Sequence, residues 1–464
     1  MPIHIVIISY NNHLYVENTI TQLININPSY RKDIIVFDNN SNNEDTKQYL
    51  SNLSNRQIKL HQSTSNYGPR INSHPNKEFY NNLSDQFVLT DPDLEFNKNI
   101  PSNFIEVLSK LSLEYNAWKI GFALKITDFD KMFQCKYFNN ATIYEWEKQF
   151  WSKRIENDNF ELYNADIDTT FCMVNKKGNE NVKIRVAGNF TAKHHPWYPK
   201  DPILNLYEKY QNHSKQTDIS TTSKIVMEYI NKNYLKIMKN DQVIFIENDI
   251  DDPNLSFWKN IYLNWEKETF SVFDKYLDKN KIFIDIGGWI GTTCIYGARL
   301  SKRVITVEAD RIITKYLDRN CKNNARNIEC VNRAIYHTNG IKVCFDKNKF
   351  LPNSKLGDST SQIINETDTE DINTIDTINI KTLIKEYDVD PKEISLIKVD
   401  IEGGEEDILE DLYLLSKTHG IFLYVSFHYS WWKDKNIDRF DFLSKEHISI
   451  VKQNPFTSLL LNWK

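Results

Sequence analysis

Residues 282–291 read IFIDIGGWIG: an apolar run ends in Asp285, and Gly287, Gly288 and Gly291 follow at once. The chain has only 13 glycines, so this local density needs a cause. Glycine serves where backbone turns sharply or approaches a ligand without a Cβ in the way. The next apolar run, 303–307, ends in Glu308, about 20 residues on, where nucleotide-binding βαβ units set a carboxylate on ribose hydroxyls. The spacing is not G-x-G-x-x-G, and an acid directly before the glycines suits S-adenosylmethionine (SAM) better than a dinucleotide. A tight strand-to-helix turn with no ligand would use the same residues. A third run, SLIKV at 395–399, ends in Asp400-Ile401-Glu402-Gly403-Gly404-Glu405. It again places acids and glycines at a strand's carboxyl end, where open α/β sheets bind ligands. The run 328–336 holds Asn332 where adenine can be approached. His428 closes the run 420–427 and can take an acceptor's proton. A packed, hydrogen-bonded histidine is its plain alternative.

A different constellation lies nearer the N-terminus. Thr90-Asp91-Pro92-Asp93 sets two carboxylates one residue apart across a stiffening proline. Oxygen ligands of this kind suit Mg²⁺ or Mn²⁺ carrying a diphosphate, while a solvated turn reads the same way. Asp38 ends the run 33–37, where a nucleotide base can be read. Asp166 and Asp168, in ADIDTTF, are either general-base candidates or helix N-caps. His194 and His195 follow, and a late histidine can complete a metal shell, which leans towards Mn²⁺. Trp197 and Tyr198 suit a sugar-stacking wall or ordinary core equally well.

The elements that position these residues alternate. Strands at 3–9, 33–37 and 87–89 enclose helices at 14–26 and 46–53, which predicts a parallel α/β sheet. Further on, apolar spacing predicts helices at 203–210 and 224–238 and a strand at 241–246. Beyond these, helices are expected at 292–300, 312–323 and 408–415, with strands at 328–336 and 420–427. The polar stretch QTDISTTS, 216–223, is the best linker, with a boundary near Ser220.

At 464 residues the chain suits two domains. A net charge of −5 without a basic block points away from nucleic acid as a partner. Six cysteines form no C-x-x-C, which fits a reducing, cytoplasmic setting. The chain opens directly on a strand, with no leader pattern. No continuous apolar run of about 20 residues predicts a transmembrane helix, although peripheral membrane contact is compatible with this composition.

The C-terminal motifs WEKETF (265–270), FIDIGGWIGTT, VITVEAD and LIKVDIEGGEEDIL together resemble the FkbM family of SAM-dependent methyltransferases, from about residue 254 onward. The resemblance implies a seven-stranded Rossmann-like sheet and methyl transfer to oxygen, often on sugars or polyketides. It makes Asp285, Gly287, Gly288, Gly291, Glu308, Asn332 and Glu402 the cofactor set, with Asp400 and His428 as catalytic candidates. Gly288 stands where the family leads one to expect Ala, a swap that should leave the loop intact.

The N-terminal motifs VIISYNN, VFDNNS, NYGPR, TDPDLEF, ADIDTTF and HHPWY resemble a family-2-like glycosyltransferase of the GT-A fold, over about residues 1–200. This implies Asp38 as the uracil or thymine reader and Arg70 as a donor contact. Asp93 becomes the metal ligand, with Asp91 on ribose or metal. Asp168 becomes the general base, with Asp166 competing. His194 becomes a metal or diphosphate contact, with His195 beside it.

The expectation is an α/β protein of two domains: a GT-A domain over 1–215, a linker and lead-in helix and strand over 216–253, and a methyltransferase domain over 254–464. The implied enzyme builds glycans. With Mn²⁺ or Mg²⁺ it transfers a sugar, with inversion, from a UDP- or dTDP-sugar to a glycan acceptor, and with SAM it O-methylates a sugar hydroxyl. Two alternatives stand beside this. In one the first domain is a non-catalytic sugar-binding module serving a methyltransferase; in the other the methyl acceptor is a lipid or polyketide.

Overall fold

A computed structural model describes residues 3–72, 76–214, 221–346, 362–366, 374–432, 443, 447–452 and 457–462. The chain divides into two compact units, one of Met1–Leu204 and Glu208–Ile230, the other of Asn205–Tyr207 and Asn231–Lys464.

The first unit is built on one mixed sheet. Its strands are β1 (Ile5–Ser9), β2 (Ile34–Asp38), β3 (Lys59–Gln62), β4 (Gln86–Thr90), β5 (Leu94–Phe96), β6 (Ala117–Leu124), β7 (Arg154–Ile155), β8 (Leu162–Asn164), β9 (Cys172–Asn175) and β10 (Asn179–His194). The order is β3-β2-β1-β4-β9-β6-β10-β8-β7, with β5 paired to β10. The β3-β2-β1-β4 part is parallel. β1 and β2 are buried at every position, so their sequences are continuous apolar runs rather than alternating ones. Residues 165–171 form a loop that leads into β9. There is therefore no helix for Asp166 or Asp168 to cap, and that alternative falls. Trp197 and Tyr198 are buried, which favours core over a sugar wall.

In the second unit β11 (Tyr234–Lys239) and β12 (Gln242–Glu247) form a hairpin. The main sheet contains β13 (Ile282–Ile286), β14 (Arg303–Val307), β15 (Ile328–Val331), β20 (Ile394–Val399), β21 (Phe422–Phe427), β22 (His447–Lys452) and β23 (Thr457–Asn462). Between these in the chain lie β16 (Ala334–Ile335), β17 (Lys342–Asp346), β18 (Gln362–Glu366) and β19 (Thr374–Ile378), which make a small separate sheet. The main sheet runs β15-β14-β13-β20-β21-β23-β22, parallel except at β23 and β22. It is the seven-stranded Rossmann-like sheet expected.

Two local expectations need correction. The helix foreseen over 224–238 ends at Asn233, because from Tyr234 the chain pairs with β12 instead. The strand foreseen over 328–336 is split, since β15 pairs with β14 and β16 pairs with β19. Residues 216–220 of the linker lie outside the described residues. The hairpin is also more than a lead-in. Ile237, Ile244 and Ile246 belong to the same core as Trp258, Phe273 and Leu317. The buried Asn324 amide pairs with both the N–H and the C=O of Phe245, each at 2.8 Å.

This packing sets where the second unit can be cut. Removing three buried isoleucines forfeits about 1.5–3 kcal/mol each, against a typical total stability of about 5–15 kcal/mol. A fragment of residues 231–464 should melt cooperatively, and a fragment of 254–464 should be unfolded or aggregated. Equal melting temperatures for the two fragments, read by circular dichroism, would contradict it.

Candidate functional sites

In the second unit the glycine turn is shaped by contact. Gly287 has φ +86°, and a Cβ there would lie 1.9 Å from the carbonyl oxygen of Asp400. Gly287 N–H and Gly288 N–H both donate to the carbonyl of Val307, at 2.9 and 3.2 Å. The turn is thus clamped between the ends of β14 and β20. A Cβ at Gly288 would lie 2.1 Å from Thr306 Oγ1. The Ala that the family pattern suggests is therefore not neutral in this chain. Asp285 is fully buried beneath the turn: Oδ2 accepts from Thr293 Oγ1 at 2.7 Å, and Oδ1 lies 3.1 Å from Lys398 Nζ.

A narrow cavity opens above this turn, with Gly287, Trp289, Glu308, Asp310, Asp400 and Glu402 among its walls. Gly288, Gly291 and Asp285 support it from behind rather than line it. Glu308 accepts from Trp289 N–H at 2.8 Å and Asp310 N–H at 2.9 Å, and burial pushes its pKa up to about 7. Asn332 does not reach the cavity. Its amide donates to Glu308 O, Ala309 O and Thr314 Oγ1, at 2.9, 3.2 and 2.9 Å. It locks the turn, and its neighbours Arg333, Ala334 and Ile335 line the wall instead.

At the cavity's edge Asp400, Glu402 and His428 converge. His428 Nε2 lies 3.2 Å from Glu402 and 3.6 Å from Asp400, and Nδ1 lies 2.7 Å from Glu405. Burial alone lowers the His428 pKa, but the carboxylates, Glu405 foremost, raise it to about 9. Burial pushes Asp400 up to about 6 and Glu402 well above its usual range. Two residues here escaped the sequence reading, although both lie inside LIKVDIEGGEEDIL. Lys398 donates to Gly287 O at 2.9 Å. Glu405, 1 % exposed, holds His428 and accepts from Trp432 Nε1 at 3.2 Å.

In the first unit, pairing brings the acids together. β5 runs antiparallel to β10, placing His194 opposite Leu94. His194 Nε2 then lies 3.5 Å from Asp93 Oδ2. His195 turns the other way, with Nδ1 3.6 Å from Asp201 and its ring stacked on Tyr15. Of the two histidines, His194 is the one beside the acids. Asp91 receives Thr169 Oγ1, and its N–H donates to Thr169 O at 2.8 Å. Burial and Asp93 push Asp91 up to about 7, while His194 outweighs burial and holds Asp93 below the carboxylate range.

Asp168 and Arg70 both line a cavity of about 750 Å³, with Trp118, Lys119 and Thr169. Trp118 and Lys119 carried no motif in the sequence. Asp166 is not in that wall; its carboxylate is exposed and pairs with Lys183 at 2.7 Å. Asp38 is 2 % exposed and does not line the cavity either. Both its oxygens accept from Ser41, at 2.5 and 3.1 Å. In that position it holds a turn.

Residues 4–177 match the sequence model of glycosyl transferase family 2, and residues 285–454 match that of the methyltransferase FkbM domain. The chain therefore carries two transferase domains, a glycosyltransferase followed by a methyltransferase. Similar solved structures include the methyltransferase FkbM from Methylobacillus flagellatus KT, 15 % identical, covering 56 % of this chain and 67 % of that one, TM-score 0.28. An rRNA methylase from Streptococcus thermophilus is 11 % identical over 42 % of this chain and 93 % of that one, TM-score 0.26. A methyltransferase from Streptococcus mutans in complex with SAH is 12 % identical over 41 % and 94 %, TM-score 0.25. No curated protein matches the chain. Among the described residues, no helix is long and apolar enough to cross a membrane.

The contact at Gly288 gives a test. Gly288→Ala should destabilise the second unit by about 1–3 kcal/mol, the cost of overpacking. Adding Thr306→Ala should recover much of that loss. Chemical denaturation of both variants reads it, and an undisturbed Gly288→Ala midpoint would show the contact is not tight.

Proposed function

We propose that this chain is a bifunctional glycan-building enzyme. Its first domain moves a sugar from a UDP- or dTDP-sugar to a glycan acceptor, and its second methylates a sugar hydroxyl with SAM. The observation that carries the reading is that each unit has its own cavity bearing candidate catalytic side chains, Asp168 with Arg70 in the first and Glu308, Asp400 and Glu402 in the second.

In the first domain, Asp93 Oδ1 and His194 Nδ1 are buried without a hydrogen-bond partner among the described residues, and an oxygen-and-imidazole donor set suits Mn²⁺. Asp93 and His194 would hold the ion, with Asp91 joining them only on a shift, because the ligand atoms of these three do not all lie within 4.8 Å of one another; the ion when bound supplies positive charge for the leaving diphosphate. Asp168 faces the cavity and takes the acceptor's proton. Asp166, committed to Lys183, leaves Asp168 the better base. In the second domain, Gly287 gives a close backbone approach and Glu308 accepts from the ribose hydroxyls of SAM, which when bound supplies the methyl group. Asp400 and His428 meet the acceptor's hydroxyl.

Asp93→Ala should abolish sugar transfer while leaving methylation of a pre-glycosylated acceptor intact. Asp168→Asn should lower turnover about 10²–10⁴-fold with nucleotide-sugar affinity within a few-fold. Released nucleotide, measured across a donor screen, checks both; full activity after chelation would remove the metal from the scheme.

Glu308 makes SAM binding depend on pH. The ionised carboxylate is the acceptor, so affinity should rise with pH through about 7. Between pH 8 and pH 6 it should fall on the order of tenfold. Glu308→Gln should flatten that profile. Calorimetry at a series of pH values checks it, and a wild-type affinity independent of pH would count against Glu308.

A further inference from the structure

We propose that Asp400, Glu402 and His428 form a divalent-cation site in the methyltransferase domain, beside its cavity, with Glu405 as the residue that orients His428. This rests on the methyltransferase reading only for its role, which is to hold neighbouring hydroxyls of the sugar acceptor.

Among the described residues, these three alone offer His, Cys, Asp or Glu ligand atoms that all lie within 4.8 Å of one another. The cluster is not simply acidic. His428 is fixed through Nδ1 by a buried carboxylate, so Nε2 is aimed at Asp400 and Glu402. Metal-ligating histidines are held in this way, one ring nitrogen on a carboxylate and the other on the ion. Glu402 Oε2 is buried and lies 3.2 Å from His428 Nε2, with no other partner for it among the described residues. Lys398 offsets only part of the negative charge there. It sits 3.1 Å from Asp285 and 4.0 Å from Asp400, and so is engaged by the first. Two carboxylates and one imidazole suit a first-row divalent ion such as Mn²⁺. Three protein ligands leave positions open, and two adjacent sugar hydroxyls would fill them. Asp400 and Glu402 also line the cavity, so hydroxyls held there lie next to the bound cofactor.

The test counts Mn²⁺ bound to the full-length protein by electron paramagnetic resonance. All proteins carry Asp93→Ala, so that the first domain's ion does not contribute. This background should bind one ion. Glu402→Gln and, separately, His428→Gln should each weaken that binding at least tenfold, with thermal unfolding showing that both variants fold. Glu402→Gln keeps the side chain's shape, so it stands as the decisive variant if His428→Gln is unstable. No bound ion in the Asp93→Ala protein, or undiminished binding in folded Glu402→Gln, would overturn the site. SAM affinity and methyl transfer, measured separately, judge the methyltransferase reading. An ion lost in Glu402→Gln with no methylation of any sugar keeps the site and rejects the role.

Discussion

A buried lysine organises the second domain. Lys398 and Asp285 are nearest neighbours in the register of β20 and β13, both one residue short of their strand's end or nearly so. Each is buried, at 2 % and 0 % exposure. Removing two charges from water is costly and is recovered only with good geometry and further hydrogen bonds. Lys398 meets that demand by also donating to the carbonyl of Gly287. Burial alone would lower its pKa, but Asp285 and Asp400 hold it above the usual lysine range. One cation thus joins two strands to the glycine turn. The turn in turn requires a residue without a Cβ against Asp400, which fixes the distance between the glycine loop and the acids after β20. Glu308, Asp400 and Glu402 can then share one cavity.

The first domain solves a similar problem by strand pairing instead of a buried lysine. The short β5 lies against the end of β10, and its register brings Asp93 to His194. The backbone bond from His195 N–H to Asp93 O, at 2.9 Å, closes the same junction. Asp91 is tied to the loop that carries Asp168 through Thr169. Acids separated by about 75 residues in the chain therefore meet because open α/β sheets gather loops at their carboxyl edge. A deeper ion pair, Arg185 with Glu147, supports β10 behind this edge, and Arg185 also donates to Asp166 O at 2.8 Å.

What could be read from the sequence was local. Continuous apolar runs ending in Asp38, Asp285 and Glu308 announced buried parallel strands, because a strand covered on both faces needs no polar alternation. Dense glycines announced a turn with close backbone contact. Ordered motifs pointed to both transferase families and to the two-domain plan. The side on which a side chain finds its partner was not local. Asp166 and Asp168 are two residues apart and of one type, yet one faces Lys183 and the other a cavity. Asp38 and Asn332 sit at strand ends where ligands bind, but Ser41 and the 308–314 turn engage them first.

The sequence by itself determined the fold class, the order of the domains and the strand ends that carry chemistry, since these follow from hydrophobic period and turn residues within a few positions. Tertiary structure decided which of those residues act together. Only folding could show that the His194 ring rather than the His195 ring approaches the Asp93 carboxylate, that Thr306 crowds Gly288, and that Glu405 anchors His428. Each of these depends on contacts between segments far apart in the chain, where burial and register, not residue type, determine the partner.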